Sequence, residues 1–206
     1  MTVQAFRVHI ELTDHLCCPA GHAERFLVLL PDAVDGRRVV SGTLGCPVCG
    51  RVVRLAEGSA IFDQAAPSDG RTALTAEALA AFLGLSGPGG YIALVGGVTS
   101  LAGELAALLP GIRLALVNPP PGTADLSEAS VLRAARLPLK ASSMRGVALG
   151  ADLAGHAAWV ADAVRATLPG LRIVAEGGEP PSEGVELLAR AEECWVGKKQ
   201  GVGSRE

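Results

Sequence analysis

The sequence predicts an α/β protein in two parts, a small mostly-β segment and a larger doubly wound parallel sheet. Three observations predict it. Two cysteine-bearing turns, Cys17-Cys18-Pro19-Ala20-Gly21-His22 and Cys46-Pro47-Val48-Cys49-Gly50, lie in a stretch of short strand-like runs. Apolar residues in that stretch alternate with polar ones, the period of a half-buried strand. Beyond about residue 90, continuous apolar runs such as Tyr91 to Val95 alternate with helix-spaced leucines, as strands buried on both faces of a parallel sheet require.

Taken in order, Phe6, Val8, Ile10 and Leu12 alternate with Arg7, His9 and Glu11 and predict a first strand. Phe26 to Leu30, Arg37 to Ser41 and Gly50 to Leu55 are further short strands. Residues 1–63 are expected to form one domain, and 64–89 a linker and entry helix. Thr75 caps that helix, whose Leu79, Phe82 and Leu83 share a face before the Gly87-Pro88-Gly89-Gly90 breaker. A Rossmann-like domain is expected over 90–199, with a tail at 200–206 and fraying expected from Lys198 onward. Its pattern reads as a strand at Tyr91 to Val95, a turn at Gly96-Gly97, and a helix carrying Leu101, Leu105, Leu108 and Leu109. A strand at Ile112 to Val117 follows, then a loop and a helix to about Arg136. A strand at Val147 to Leu149, a helix from Leu153 to Leu168, a strand at Leu171 to Ala175, and closing strands at Val185 to Ala189 and Glu193 to Val196 complete it.

The cysteine turns carry chemistry. Cys46-x-x-Cys49 places two thiolates on one turn, and Gly50 frees the backbone around them. The first turn is irregular, so the expected zinc ligands are Cys18, His22, Cys46 and Cys49, with Cys17 open as an alternative to Cys18 or His22. A structural zinc is preferred to a catalytic one, because no carboxylate or second His accompanies the set. A disulfide framework fits less well, since Cys194 is left over. No secretory signal is read and no apolar run is long enough to span a membrane, so a reducing, cytoplasmic setting is expected. Lys plus Arg (18) against Asp plus Glu (21) gives a net charge of −3, which excludes a global attraction to nucleic acid or acidic membranes. A local basic run, Arg133, Arg136, Lys140 and Arg145, has no acid between its members and is a candidate contact for RNA phosphates or an acidic protein; a solvated face is the simpler explanation.

Two stretches resemble known families. Residues 44–62, LGCPVCGRVVRLAEGSAIF, are similar to the second half of the Trm112-like zinc ribbon, a family of small activating partners of methyltransferases. Residues 88–199 resemble the class I S-adenosylmethionine-dependent methyltransferase domain. The run LPL at 137–139 followed by SSMRGVALG resembles the approach to its fourth strand, LPGLRIVAEGG its fifth strand, and GVELLARAEECWVGKK its final hairpin. The resemblance implies a cofactor site at Gly96, Gly97, Thr99 and Asn118. It also shows departures. Val98 and Ser100 stand where the family's loop has glycine, Leu94 replaces an acid, and Asn118 replaces the acid that holds the ribose hydroxyls. Arg133 and Arg145 stand at two further acidic positions. Asn118-Pro119-Pro120-Pro121 resembles the Asn-Pro-Pro-aromatic signature of amino-methylating enzymes, but it follows the wrong strand and lacks the aromatic, so a rigid proline turn is preferred. The expectation is a non-catalytic accessory or structural subunit, a degenerate methyltransferase fused to a ribbon and acting through protein contacts. An active methyltransferase and a nucleic-acid-binding module are the alternatives.

Overall fold

The computed structural model describes residues 8–56, 58–191 and 193–201. Among the described residues, twelve strands, β1 (Val8–His9), β2 (Val28–Asp35), β3 (Arg38–Gly45), β4 (Val52–Ala56), β5 (Ser59–Ile61), β6 (Tyr91–Val95), β7 (Arg113–Val117), β8 (Ala129–Arg133), β9 (Met144–Leu149), β10 (Thr167–Glu176), β11 (Val185–Ala191) and β12 (Cys194–Lys199), join in one sheet. Its order is β1-β3-β4-β5-β8-β7-β6-β9-β10-β12-β11, with β2 laid along β3. The block β5-β8-β7-β6-β9-β10 is parallel throughout, and the hairpin β11-β12 closes it antiparallel. This is the doubly wound arrangement the apolar runs predict.

Helices cover both faces. On one, α2 (Ala76–Leu83), a 3-10 turn over Gly96–Leu101 and α3 (Ala102–Leu108) pack Leu79, Leu83, Val98 and Leu105 against Leu94, Leu114 and Leu116. On the other, α5 (Ala157–Ala166) packs Trp159 and Ala163 in a cluster that also holds Leu12 and Leu16 from the N-terminal segment, Leu44 from β3 and Trp195 from β12. The ribbon strands and the parallel sheet therefore share a core as well as a hydrogen-bonded seam, where Ser59, Ala60 and Ile61 align with Val131, Leu132 and Arg133. Thr75 caps α2 as expected, its hydroxyl accepting from the Ala78 amide at 3.2 Å. Gly84 ends the helix in the left-handed region, φ +57°, which favours glycine.

Four expectations are corrected. The strand expected over 6–12 stops at His9, and Ile10–Thr13 form a helical turn, α1; Phe6 and Arg7 lie outside the described residues. Val8 and His9 are both buried, as are Leu12 and Thr13, so burial here does not follow the alternation. The helix expected before Arg136 is β8, held between β5 and β7 by pairing that local sequence does not reveal. The helix expected over 153–168 is two, α4 (Ala151–Ala154) and α5, interrupted at Gly155-His156, and Thr167 already begins β10. Lys198 and Lys199, read as the start of a frayed tail, belong to β12; residues 202–206 lie outside the described residues.

Candidate metal centre and the occluded loop above the sheet

The two cysteine turns meet. β3 delivers Cys46 at its end, and the Gly50 amide returns to the Cys46 carbonyl at 3.0 Å, closing the turn that carries Cys49. Gly50 takes φ +71°, the left-handed conformation that closure needs. From the other side, Cys17 is tied to Pro138 by its amide and to Phe26 by a β-bridge, which aims Cys18 and His22 at the turn. The ligand atoms of Cys18, His22, Cys46 and Cys49 all lie within 4.8 Å of one another. Cys18 Sγ stands 3.7 Å from Cys49 Sγ, and Cys46 Sγ 3.4 Å from His22 Nε2. A tetrahedral zinc with Zn–S bonds of about 2.3 Å sets its sulfurs about 3.8 Å apart, so these separations fit one ion without rearrangement.

The donor chemistry fits too. His22 Nδ1 lies 2.8 Å from the Ala23 carbonyl, which can only accept, so Nδ1 carries the proton and the Nε2 lone pair faces Cys46. Amide hydrogens of Cys49, foremost, and of Val48 point at Cys46 Sγ and pull its thiol down to about 6, against an opposing effect of burial. Burial, by contrast, pushes the Cys18 thiol up to about 11. Cys17 is buried, its thiol also raised by burial, and it stands outside the four-ligand group.

The expected cofactor loop is built differently from an open site. Gly96, Gly97, Val98 and Thr99 are all buried within the 3-10 turn that follows β6. The segment Ser68–Leu74, arriving from the ribbon, lies across it as a strap. A Cβ at Gly97 would collide with the Arg71 carbonyl oxygen, and one at Gly70 would press on Pro120. The Ser68 amide donates to the Asn118 carbonyl at 3.0 Å. Glu176, at the carboxyl end of β10 and only 2% exposed, latches the strap: its Oε1 accepts from Thr72 Oγ1 at 2.7 Å, Ala73 N at 2.6 Å and Leu74 N at 3.1 Å. Asp152 Oδ1, from α4, accepts the Gly97 amide at 3.0 Å.

The polar groups expected to meet a cofactor are turned inward. Thr99 Oγ1 donates to the Gly96 carbonyl at 2.6 Å. Asn118, at φ +53°, gives Nδ2 to the Ala134 carbonyl at 2.8 Å and receives the Ala134 amide on Oδ1 at 3.0 Å. Both ends of its amide are thereby used to tie the end of β7 to the end of β8, so the Asn-Pro-Pro-Pro run is a structural turn. The sequence reading named Gly96, Gly97, Thr99 and Asn118 but missed Arg71, Asp152 and Glu176, which cover them. An acid at the end of a parallel strand was the available signal for Glu176.

The basic run is dispersed. Arg136 pairs with Asp162 at 2.8 Å, and Lys140 donates to the Asp14 carbonyl at 2.7 Å with its ammonium 3.5 Å from the Phe26 ring centroid. Arg145 donates to the carbonyls of Ser86, Gly87, Pro88 and Gly89. Arg133 lines a cavity beside β5, and Arg136 a cavity beside the first cysteine turn.

No known family's sequence profile and no curated protein matches the chain. Solved structures similar to it are methyltransferases. A chain from the complex of the Haloferax volcanii Trm112 methyltransferase activator with a proposed methyltransferase is 12% identical over 55% of this chain and 84% of its own, at a TM-score of 0.44. The antibiotic-resistance methyltransferase Kmr is 14% identical over 66% of this chain and 98% of its own, at 0.42. A proposed S-adenosylmethionine-dependent methyltransferase from Methanococcus maripaludis is 10% identical over 63% of this chain and 85% of its own, at 0.44. At such scores the likeness transfers no site or activity. Among the described residues, no helix is long and apolar enough to cross a membrane.

Proposed function

We propose that this protein is a non-catalytic accessory subunit, a zinc-clamped ribbon built onto a methyltransferase-like body, that works through protein contacts. The observation that carries the reading is the strap. Arg71 closes on Gly97, Ser68 on the Asn118 backbone, and the Asn118 side chain is fully engaged by Ala134. A nucleoside cofactor at this loop needs close backbone approach and a free acceptor for its ribose, and the chain's own groups stand in both places. The nearest cavities, one of about 460 Å3 lined by Thr72, Ala151 and Glu176 and one of about 330 Å3 lined by Thr99, Ser100 and Pro120, lie to either side, and neither is lined by Gly96, Gly97 or Asn118.

The contact face supports the same reading. Phe26, just ahead of β2, and Val28 and Leu30 within it are 69%, 50% and 61% exposed at alternate positions; the pairing Val28–Gly45–Val52 brings Val52, 59% exposed, into the same row as Val28. Exposed apolar side chains gathered on one sheet face mark an interaction surface, whereas scattered ones do not. The four-ligand cluster holds that face in shape, with zinc as the ion its sulfur and imidazole donors select, and such a thiolate site fits a reducing compartment such as the cytoplasm.

Titration calorimetry with S-adenosylmethionine tests the proposal against an active methyltransferase. No heat of binding is expected. A dissociation constant below about 100 μM, roughly −5.5 kcal/mol, overturns it.

A further inference from the structure

Arg133 ends β8 in a cavity of about 240 Å3. The register of β5 on β8 pairs Ser59 with Val131 and Ile61 with Arg133, so these four side chains share one face of the sheet. The turn Pro119–Thr123 closes the opposite wall, braced by the Thr123 hydroxyl donating to the Pro120 carbonyl at 2.7 Å. Arg133 Nη1 donates to the Pro119 carbonyl at 2.7 Å, which fixes the guanidinium plane while using one of its five N–H donors.

What is missing is a counter-charge. Arg38, Arg51, Arg113, Arg136 and Arg165 each meet a carboxylate, but among the described residues none pairs with Arg133. Burial holds its pKa below the ordinary arginine value. A half-buried cation facing a neutral carbonyl has lost water without gaining an anion, and a bound anion would restore the balance. The planar fork of arginine suits oxyanions in particular.

We propose that this cavity binds a small oxyanion, the carboxylate or phosphate group of a metabolite, against the unused donors of Arg133 and beside the Ser59 hydroxyl. Val131 and Ile61 give the ligand's carbon portion an apolar wall. The site stands apart from the Gly96 loop and holds whether or not that loop accepts a cofactor.

The test is an NMR titration of the full chain with sodium phosphate and, separately, sodium acetate, each at constant ionic strength made up with chloride. Saturable shifts of the Arg133 side-chain Nε–H and the Ser59 amide are expected with at least one anion. Saturation by phosphate alone identifies a phosphoryl ligand, by acetate alone a carboxylate. Arg133→Gln should abolish the response, Arg133→Lys should weaken it several-fold by keeping charge without the fork, and Arg145→Gln should leave it intact. Shifts that never saturate with either anion, or that persist in Arg133→Gln or are unweakened in Arg133→Lys, overturn the proposal.

Discussion

Cys46 is the residue on which the proposed metal centre turns. In the folded chain the Cys49 and Val48 amides hold its thiol at about 6, against an ordinary value of 9.0, so it is a thiolate at neutral pH while an unfolded chain still binds the proton. The sign follows: this group's contribution to stability is complete above pH 9 and is lost as the pH falls through about 6. Protons and zinc compete for the same sulfur, so zinc affinity should fall as the protein is acidified. Affinity measured by competition with a chelator across the range checks this, and an affinity independent of pH would contradict it. Cys46→Ser should release about one zinc per chain, and Cys17→Ser none, because Cys17 stands outside the cluster. Loss of the metal from the Cys17 variant would instead make that thiol a ligand. The sequence made the Cys46–Cys49 half of this cluster legible, since CPxCG is a local geometry. It left Cys17, Cys18 and His22 open because their choice depends on how Pro138 and Phe26 orient the first turn.

At the scale of elements, the strap over Gly97 shows where sequence reading ends. The buried strands β6 and β7 were legible because both of their faces are apolar, and α2 because Thr75 and its leucines announce it. β8 was not, since Ala129-Ser130-Val131-Leu132-Arg133 has no strand period and acquires its state from the neighbours that pair with it. The strap was read as a linker for the same reason: its polar composition is real, but its position is fixed by Glu176, a hundred residues away. Glu176→Ala removes the acceptor of three donors and should destabilise the protein by about 2–4 kcal/mol. Because those donors belong to Thr72, Ala73 and Leu74, the amides of Ala73 and Leu74 should lose hydrogen-exchange protection more than those of β6. Equal loss throughout would mean that Glu176 supports the fold generally and does not act as a latch.

For the whole molecule, the decisive fact is that the ribbon has no separate core. Leu12, Leu16, Leu44, Trp159 and Trp195 occupy one cluster, β5 pairs with β8, and Leu16 bridges to Leu139 while the Lys140 amide reaches the His15 carbonyl. An independent ribbon would melt alone on losing its metal, whereas a shared core couples the two parts. Both tryptophans, Trp159 on α5 and Trp195 on β12, enter that cluster from the parallel-sheet side, so their fluorescence reports the shared core from that side. We expect chelation of zinc to lower the melting temperature they report, in a single transition that coincides with loss of secondary structure. A destabilisation of about 3 kcal/mol corresponds to roughly 6–12 °C in a chain of this size. If tryptophan fluorescence keeps its original midpoint while circular dichroism shows a separate early step, the ribbon folds on its own after all, and the interaction face on β2 can open without disturbing the sheet behind it.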